Sequence, residues 1–190
     1  ASEAFWSVAS GPLASVSDEG ILTAASVYQN SMAVVRGAAF GLEDTLDITV
    51  LNVTADDYQD YAGDGIDDDW QVAYFGQPPN ADAGPDVDFD QDGQDNHYEF
   101  LSGFSPVDPT ARFILSIVSV DNYISLAQLK LNRVIPGRTY TLFASPDLSP
   151  ASFDPIFTLP PVGSPEDDVI VQDWEAWMPK RFYSISISKP

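Results

Sequence analysis

Between Arg36 and Arg112 the chain carries no lysine or arginine, yet that interval holds most of its aspartates. A segment with so much uncompensated negative charge repels itself, and it can fold tightly only around counter-ions. Over the whole chain, 29 Asp plus Glu stand against 8 Lys plus Arg, a formal charge of -21. Such a balance repels nucleic acid and anionic lipid, which sets both aside as partners. The 44% hydrophobic content over 190 residues is enough for real cores, so the chain is not a disordered acidic tail.

Inside the acidic interval, residues 88 to 99 read DFDQDGQDNHYE. A loop that wraps a hard cation draws oxygen ligands inward from positions 1, 3, 5, 7, 9 and 12, with glycine at 6 for the sharp turn and a backbone carbonyl at 7. Asp88, Asp90 and Asp92 occupy positions 1, 3 and 5, Gly93 supplies the turn, and Gln94 offers its carbonyl. Asn96 sits at 9, and Glu99 can bind bidentately from the start of a helix over NHYEFLSGF. The expected ion is Ca2+, which takes roughly six to eight oxygens at about 2.3–2.6 Å. Without it the carboxylates repel one another, so binding and local folding are expected to be one event.

An earlier stretch, DYAGDGIDDDWQ at 60 to 71, reads as an imperfect second copy. Asp60 stands at position 1, Asp64 at 5, Gly65 at 6, the Ile66 carbonyl at 7 and Asp68 at 9. Ala62 at 3 and Gln71 at 12 lack the carboxylate, which weakens the site unless Asp82, Asp86 or Asp108 fills the gaps. A helix is expected from near Asp68 through DDWQVAYFG, its acidic first turn suiting the helix dipole. Two or more calcium ions are the expectation.

The stretches GDGIDDDWQVAYFG and DFDQDGQDNHYEFLSGFSPVDP, over residues 60 to 109, resemble the calcium repeats of the thrombospondin type-3 and dockerin-like kind. That resemblance implies an EF-hand-like, calcium-binding linker. The flanking segments alternate apolar and polar residues between turn residues, the period-2 pattern of half-buried strands. On the N-terminal side, Trp6-Ser7, the hairpin Val16 to Ala24 turning at Asp18-Glu19-Gly20, and Thr45 to Val53 are similar to the second half of a group 2 bacterial immunoglobulin-like domain. In TLDITVLNV, Leu46, Ile48 and Val50 fall on one face. The family's first two strands would lie upstream of Ala1, which implies an open sheet edge able to accept a strand.

From Arg112 onward RFILSIVSV, YISLAQLKL, PGRTYTLFAS, FDPIFTLP, DDVIVQDW and KRFYSISIS give six or so antiparallel strands. They resemble the terminal β-module that follows acidic calcium repeats in large secreted proteins of environmental bacteria. The fold class is thus mainly β: two small β-sandwich-like units, at 1–54 and 112–190, joined by a calcium-binding EF-hand-like helical linker at 55–111.

Catalysis is not expected. Cysteine is absent, His97 is the only histidine, and no G-x-S-x-G elbow occurs. Lack of cysteine also rules out disulfides and thiolate metal sites, without requiring or excluding an oxidising compartment. No apolar run approaches the ~18–20 residues of a membrane span, and no basic-then-apolar signal opens the chain. With two methionines in all, the chain lacks the Met-rich helices of calcium sensors, so calcium is read as a structural clip.

The expected function is that of a secreted bacterial surface or matrix protein, rigidified by calcium and polymerising through its open N-terminal sheet. The alternative is an adhesin or carbohydrate-binding module, with Trp174, Trp177, Phe182 and Tyr183 stacking on a glycan, and a third reading is an appendage of a larger enzyme. Trp70, Tyr74 and Phe75 have the spacing of a helix face packed on a neighbour.

Overall fold

Alternating side chains in short runs, broken by glycine and proline, yield a mainly β protein of several small antiparallel sheets. The structure, a computed structural model, describes residues 4–176 and 180–190; Trp177, one of the aromatic residues considered for sugar stacking, lies outside them. Two compact units are present, Ala1–Pro85 and Asp86–Pro190. Their boundary falls inside the acidic interval, so its two loops belong to different units.

The first unit begins with β1 (Phe5–Ser10), β2 (Leu13–Val16), β3 (Leu22–Ala24), β4 (Ser31–Ala39) and β5 (Leu42–Val50). β1, β4 and β5 form one sheet in the order β1-β4-β5, and β2 pairs with β3 as a hairpin around Ser17 to Ile21. β4 and β5 are joined by Phe40-Gly41, both with positive φ, a two-residue turn whose twist matches that of the strands. The core is small: Val27, Ala33 and Val50, flanked by Leu13 and Ile48. Leu46, Ile48 and Val50 alternate along β5 as expected, but burial deepens along the strand, from Leu46 at 62% exposed to Val50 at 7%.

After β5 the first unit turns into α1 (Asp68–Phe75), whose first turn carries Asp68 and Asp69 where the helix dipole favours anions. Trp70 packs on Tyr74 and Phe75, with ring centroids 4.9 and 6.2 Å away. Much of this aromatic face is therefore satisfied within its own helix.

The second unit opens with the loop of residues 88 to 95 and α2 (Asn96–Ser102), capped by the Asp95 side chain accepting from the Tyr98 amide at 2.8 Å. Six strands follow: β6 (Leu115–Asp121), β7 (Leu126–Val134), β8 (Thr139–Ser145), β9 (Asp154–Leu159), β10 (Glu166–Asp173) and β11 (Phe182–Ser188). They form two antiparallel sheets, β10-β7-β6 and β11-β8-β9. In β7 the sequence LAQLKLNRV buries Ala127, Leu129 and Leu131 while Gln128 and Lys130 alternate outward, and in β8 Tyr140, Leu142 and Ala144 do the same.

Ala127, Leu129 and Leu131 of β7, with Tyr140 and Leu142 of β8, meet Val171 and Ile187 in one core shared by both sheets, a β-sandwich-like arrangement. Each wholly buried leucine there contributes about 1.5–3 kcal/mol. α2 is seated on the same core through Tyr98 and Leu101. Arg138 fastens its end, donating to the carbonyls of Leu101 and Phe100 at 3.0 and 3.2 Å. Among the described residues no helix is long and apolar enough to cross a membrane.

Candidate metal centre

The loop at 88 to 99 is a turn whose carboxylates hold its own backbone. Asp88 accepts from the amides of Asp92 (3.2 Å) and Gly93 (3.0 Å), and Asp92 accepts from Gln94 (2.8 Å). Gly93 takes φ 95, a left-handed value that a side chain would strain. The loop is closed by the Asn96 amide donating to the Val87 carbonyl at 2.8 Å.

Two contacts tie the loop to the start of the β-sandwich. The Gln94 carboxamide donates to the Phe113 carbonyl at 2.7 Å and accepts from the Phe113 amide at 3.0 Å. Arg112 donates to the Asp92 carbonyl at 3.2 Å. Phe113 itself is a core residue, so the loop is fastened to the packed interior of the second unit.

One carboxylate oxygen each from Asp88, Asp90 and Asp92 lie within 4.8 Å of one another, the one such acidic triad among the described residues. Glu99, on α2, feels the charge of these three aspartates; it is wholly buried, and neither of its carboxylate oxygens meets a hydrogen-bond partner, and Asp90 Oδ2 and Asp92 Oδ2 also lack one. Burial first, and then the charges of Asp90, Asp92 and Asp88, push the Glu99 carboxyl up to about 8. Asp90 is raised as well, chiefly by burial. A buried carboxylate with no donor is costly. A divalent cation among these oxygens would satisfy both the charge and the lone pairs. Asn96, also buried, stands at the loop's ninth position, and the Gln94 carbonyl at its seventh.

The outer carboxylates are arranged differently. Asp108 is exposed and accepts from Thr110 through both its amide (3.0 Å) and hydroxyl (2.7 Å), which holds its carboxyl below the ordinary range. Asp86 is exposed at the start of the second unit. Asp82 lies exposed in the first unit, its amide donating to Asn80 at 3.0 Å. His97 is half-buried on α2.

In the first unit Asp64, Ile66 and Gln71 come together around one turn, while Asp68 accepts from the amides of Asp57 and Tyr58 at 2.8 and 2.9 Å. Asp64 accepts from the Ile66 amide at 3.0 Å and from the Gln71 carboxamide at 2.8 Å, while Ile66, Asp68 and Gln71 are wholly buried. Asp60 is exposed in a short helical turn. The backbone amides that a first-position carboxylate would hold are taken instead by Asp56, a residue that fixed spacing did not single out. Its only sequence signal is an aspartate pair, Asp56-Asp57, ahead of the glycine turn. Comparison with known proteins finds no matching family model and no matching curated protein.

Proposed function

We propose that the protein is a calcium-stabilised structural module of an extracellular bacterial surface or matrix protein, with a Ca2+ ion held in the loop at 88 to 99 as an EF-hand-like clip. Asp88, Asp90, Asp92, Asn96 and Glu99 would hold it with side-chain oxygens and Gln94 with its carbonyl. The observation that carries this reading is Glu99, buried and without a donor beside three clustered aspartates. The similarity to thrombospondin type-3 and dockerin-like repeats points the same way. Since Gln94 and Arg112 join the loop to the first residues of the β-sandwich, the ion's role is to order that junction within the second unit, and no catalytic role is assigned.

The test is thermal unfolding in calcium and in chelator. Calcium at 100 times its dissociation constant should add about 2.7 kcal/mol, and Asp90→Ala with Glu99→Ala should abolish that increment. An increment that survives the double substitution would rule the loop out.

The self-association reading draws on a separate observation. On one face of the β1-β4-β5 sheet and at its hairpin turn, Trp6, Phe40, Leu42 and Leu46 are 42–84% exposed and line one open depression, and contiguous apolar surface of this kind marks contact sites. We take a second copy of the chain as its partner. Size-exclusion chromatography with light scattering, in millimolar calcium and in chelator, should show oligomers that Leu46→Asp dissolves; a monomer at all concentrations would leave the module as a spacer within a longer surface protein. The glycan alternative rests on Trp174, 59% exposed at the end of β10.

A further inference from the structure

Three backbone features of the loop at 88 to 99 recur in the first unit, with one aspartate in an unexpected place. In the former, the ninth residue, Asn96, donates its amide to the carbonyl just before Asp88 (2.8 Å); in the latter, Asp68 donates to the carbonyl of Ala55, just before Asp56 (2.7 Å). Asp88 holds the amides of Asp92 and Gly93, and Asp56 holds those of Asp64 (3.3 Å) and Gly65 (2.9 Å) together with that of Gly63. Asp92 accepts from Gln94, and Asp64 from Ile66, two residues on in each case. By all three, Asp56 corresponds to Asp88, and the first-unit loop is the same turn with four extra residues between its first and fifth positions.

Bonds within the loop do not by themselves make a cation site, but two buried atoms point to a ligand. Asp68 Oδ1 and Gln71 Oε1 belong to residues with no exposed surface, and neither atom has a hydrogen-bond partner. The other atom of each head group is bonded to the loop or beside it: Asp68 Oδ2 accepts from the amides of Asp57 and Tyr58 (2.8 and 2.9 Å), and Gln71 Nε2 donates to Asp64 and to the Ala83 carbonyl (2.8 and 2.9 Å). Oxygens so placed would otherwise stay desolvated without compensation.

We propose that residues 56–71 form a second, weaker divalent-cation site whose first ligand is Asp56 and not Asp60, completed by Asp64, the Ile66 carbonyl, Asp68 and the Gln71 carboxamide oxygen. This deepens the calcium reading of the loop at 88 to 99 and rests on it for the identity of the ion. Three carboxylates and an amide give a lower ligand charge than Asp88, Asp90, Asp92 and Glu99, and affinity follows ligand charge.

Calorimetric titration of the full chain with Ca2+ tests it. Wild type should bind two ions, one tight and one weak. Asp90→Ala with Glu99→Ala should remove the tight event and keep the weak one, Asp56→Asn should remove the weak one alone, and Asp60→Asn should keep both. Because Asp56→Asn could disturb folding of the turn, Gln71→Glu supplies a gain instead: a carboxylate at the last position should tighten the weak event about tenfold. Loss of the weak event in Asp60→Asn with retention in Asp56→Asn would overturn the assignment of Asp56. A single ion, lost in Asp90→Ala with Glu99→Ala, would overturn the second site and leave the first standing, and no binding at all would remove both.

Discussion

The two acidic loops share a turn and differ in its last residue. At the end of the loop at 88 to 99 stands Glu99, a buried carboxylate among the charges of Asp88, Asp90 and Asp92, raised to about 8 and without a donor. At the corresponding place in the first unit stands Gln71, equally buried but neutral, with its amide group engaged by Asp64 and the Ala83 carbonyl. On the calcium reading, the glutamate makes one turn electrostatically dependent on a cation. The glutamine lets the other hold much of its shape unaided. On that reading, charge at one position would set whether an ion is needed for folding or only adds to it.

The largest effect that bears on this contrast is in pH. The folded chain holds the Glu99 proton up to about 8, against an ordinary value of 4.5, so without calcium the folded state binds more protons than the unfolded one between those values. The contribution of Glu99 to stability in chelator is therefore greatest below the ordinary carboxylate range and falls as pH rises toward about 8. Calcium takes the proton's place and needs the carboxylate, so its affinity rises with pH over the same window. Melting temperatures measured from pH 4 to 9 (about the span of that window) should fall with pH in chelator and be held up in calcium. Glu99→Gln should flatten most of the apo slope, leaving what Asp90 and Asp68 contribute, both of which burial also raises. An unchanged apo slope in Glu99→Gln would break the contrast.

The seventh position sharpens it in terms of packing. Ile66 is wholly buried, and Ile66→Ala should cost about 2–5 kcal/mol through lost burial and the cavity left behind. Gln94 at the same place works by hydrogen bonds to Phe113, and Gln94→Ala should cost about 1–3 kcal/mol. Since only its carbonyl is assigned to the ion, that loss should be the same with and without calcium. Denaturant unfolding at constant slope checks both; a Gln94→Ala loss confined to calcium would mean that its side chain, not its carbonyl, senses the ion.

What could be read from the sequence follows the same division. The bonding pattern of residues 88 to 99 was legible because the loop has no insertion, so spacing along the chain and position in the turn coincide. In the first unit, four extra residues separate Asp56 from Asp64 relative to Asp88 and Asp92, and fixed spacing pointed to Asp60. Only the amide bonds, which join residues seven to nine apart, reveal the register. The β-strands were legible by alternation, as β7 shows. Their assembly was not: β10 pairs with β7 across an intervening pair of strands that went to the other sheet, a choice made by packing of the shared core and not by any local pattern. The division into units was hidden for a related reason, because each acidic loop is bonded within the unit that it adjoins.

The smallest effect separates ligands from bystanders. Asp108 adds its charge to the field on Asp90, but its own carboxylate is engaged by Thr110 and exposed to water. Acting through space in a screened environment, it should tune affinity by no more than about two- to threefold, an effect that fades at high salt as the Debye length shrinks. A coordinating carboxylate would behave otherwise, since its removal costs affinity at any ionic strength. Calcium titrations of Asp108→Asn at low and high salt distinguish the two: a small, salt-suppressed loss places Asp108 outside the site, whereas a tenfold or greater loss that persists at high salt would make it a ligand. The loop at 88 to 99 would then draw on a residue beyond its own helix.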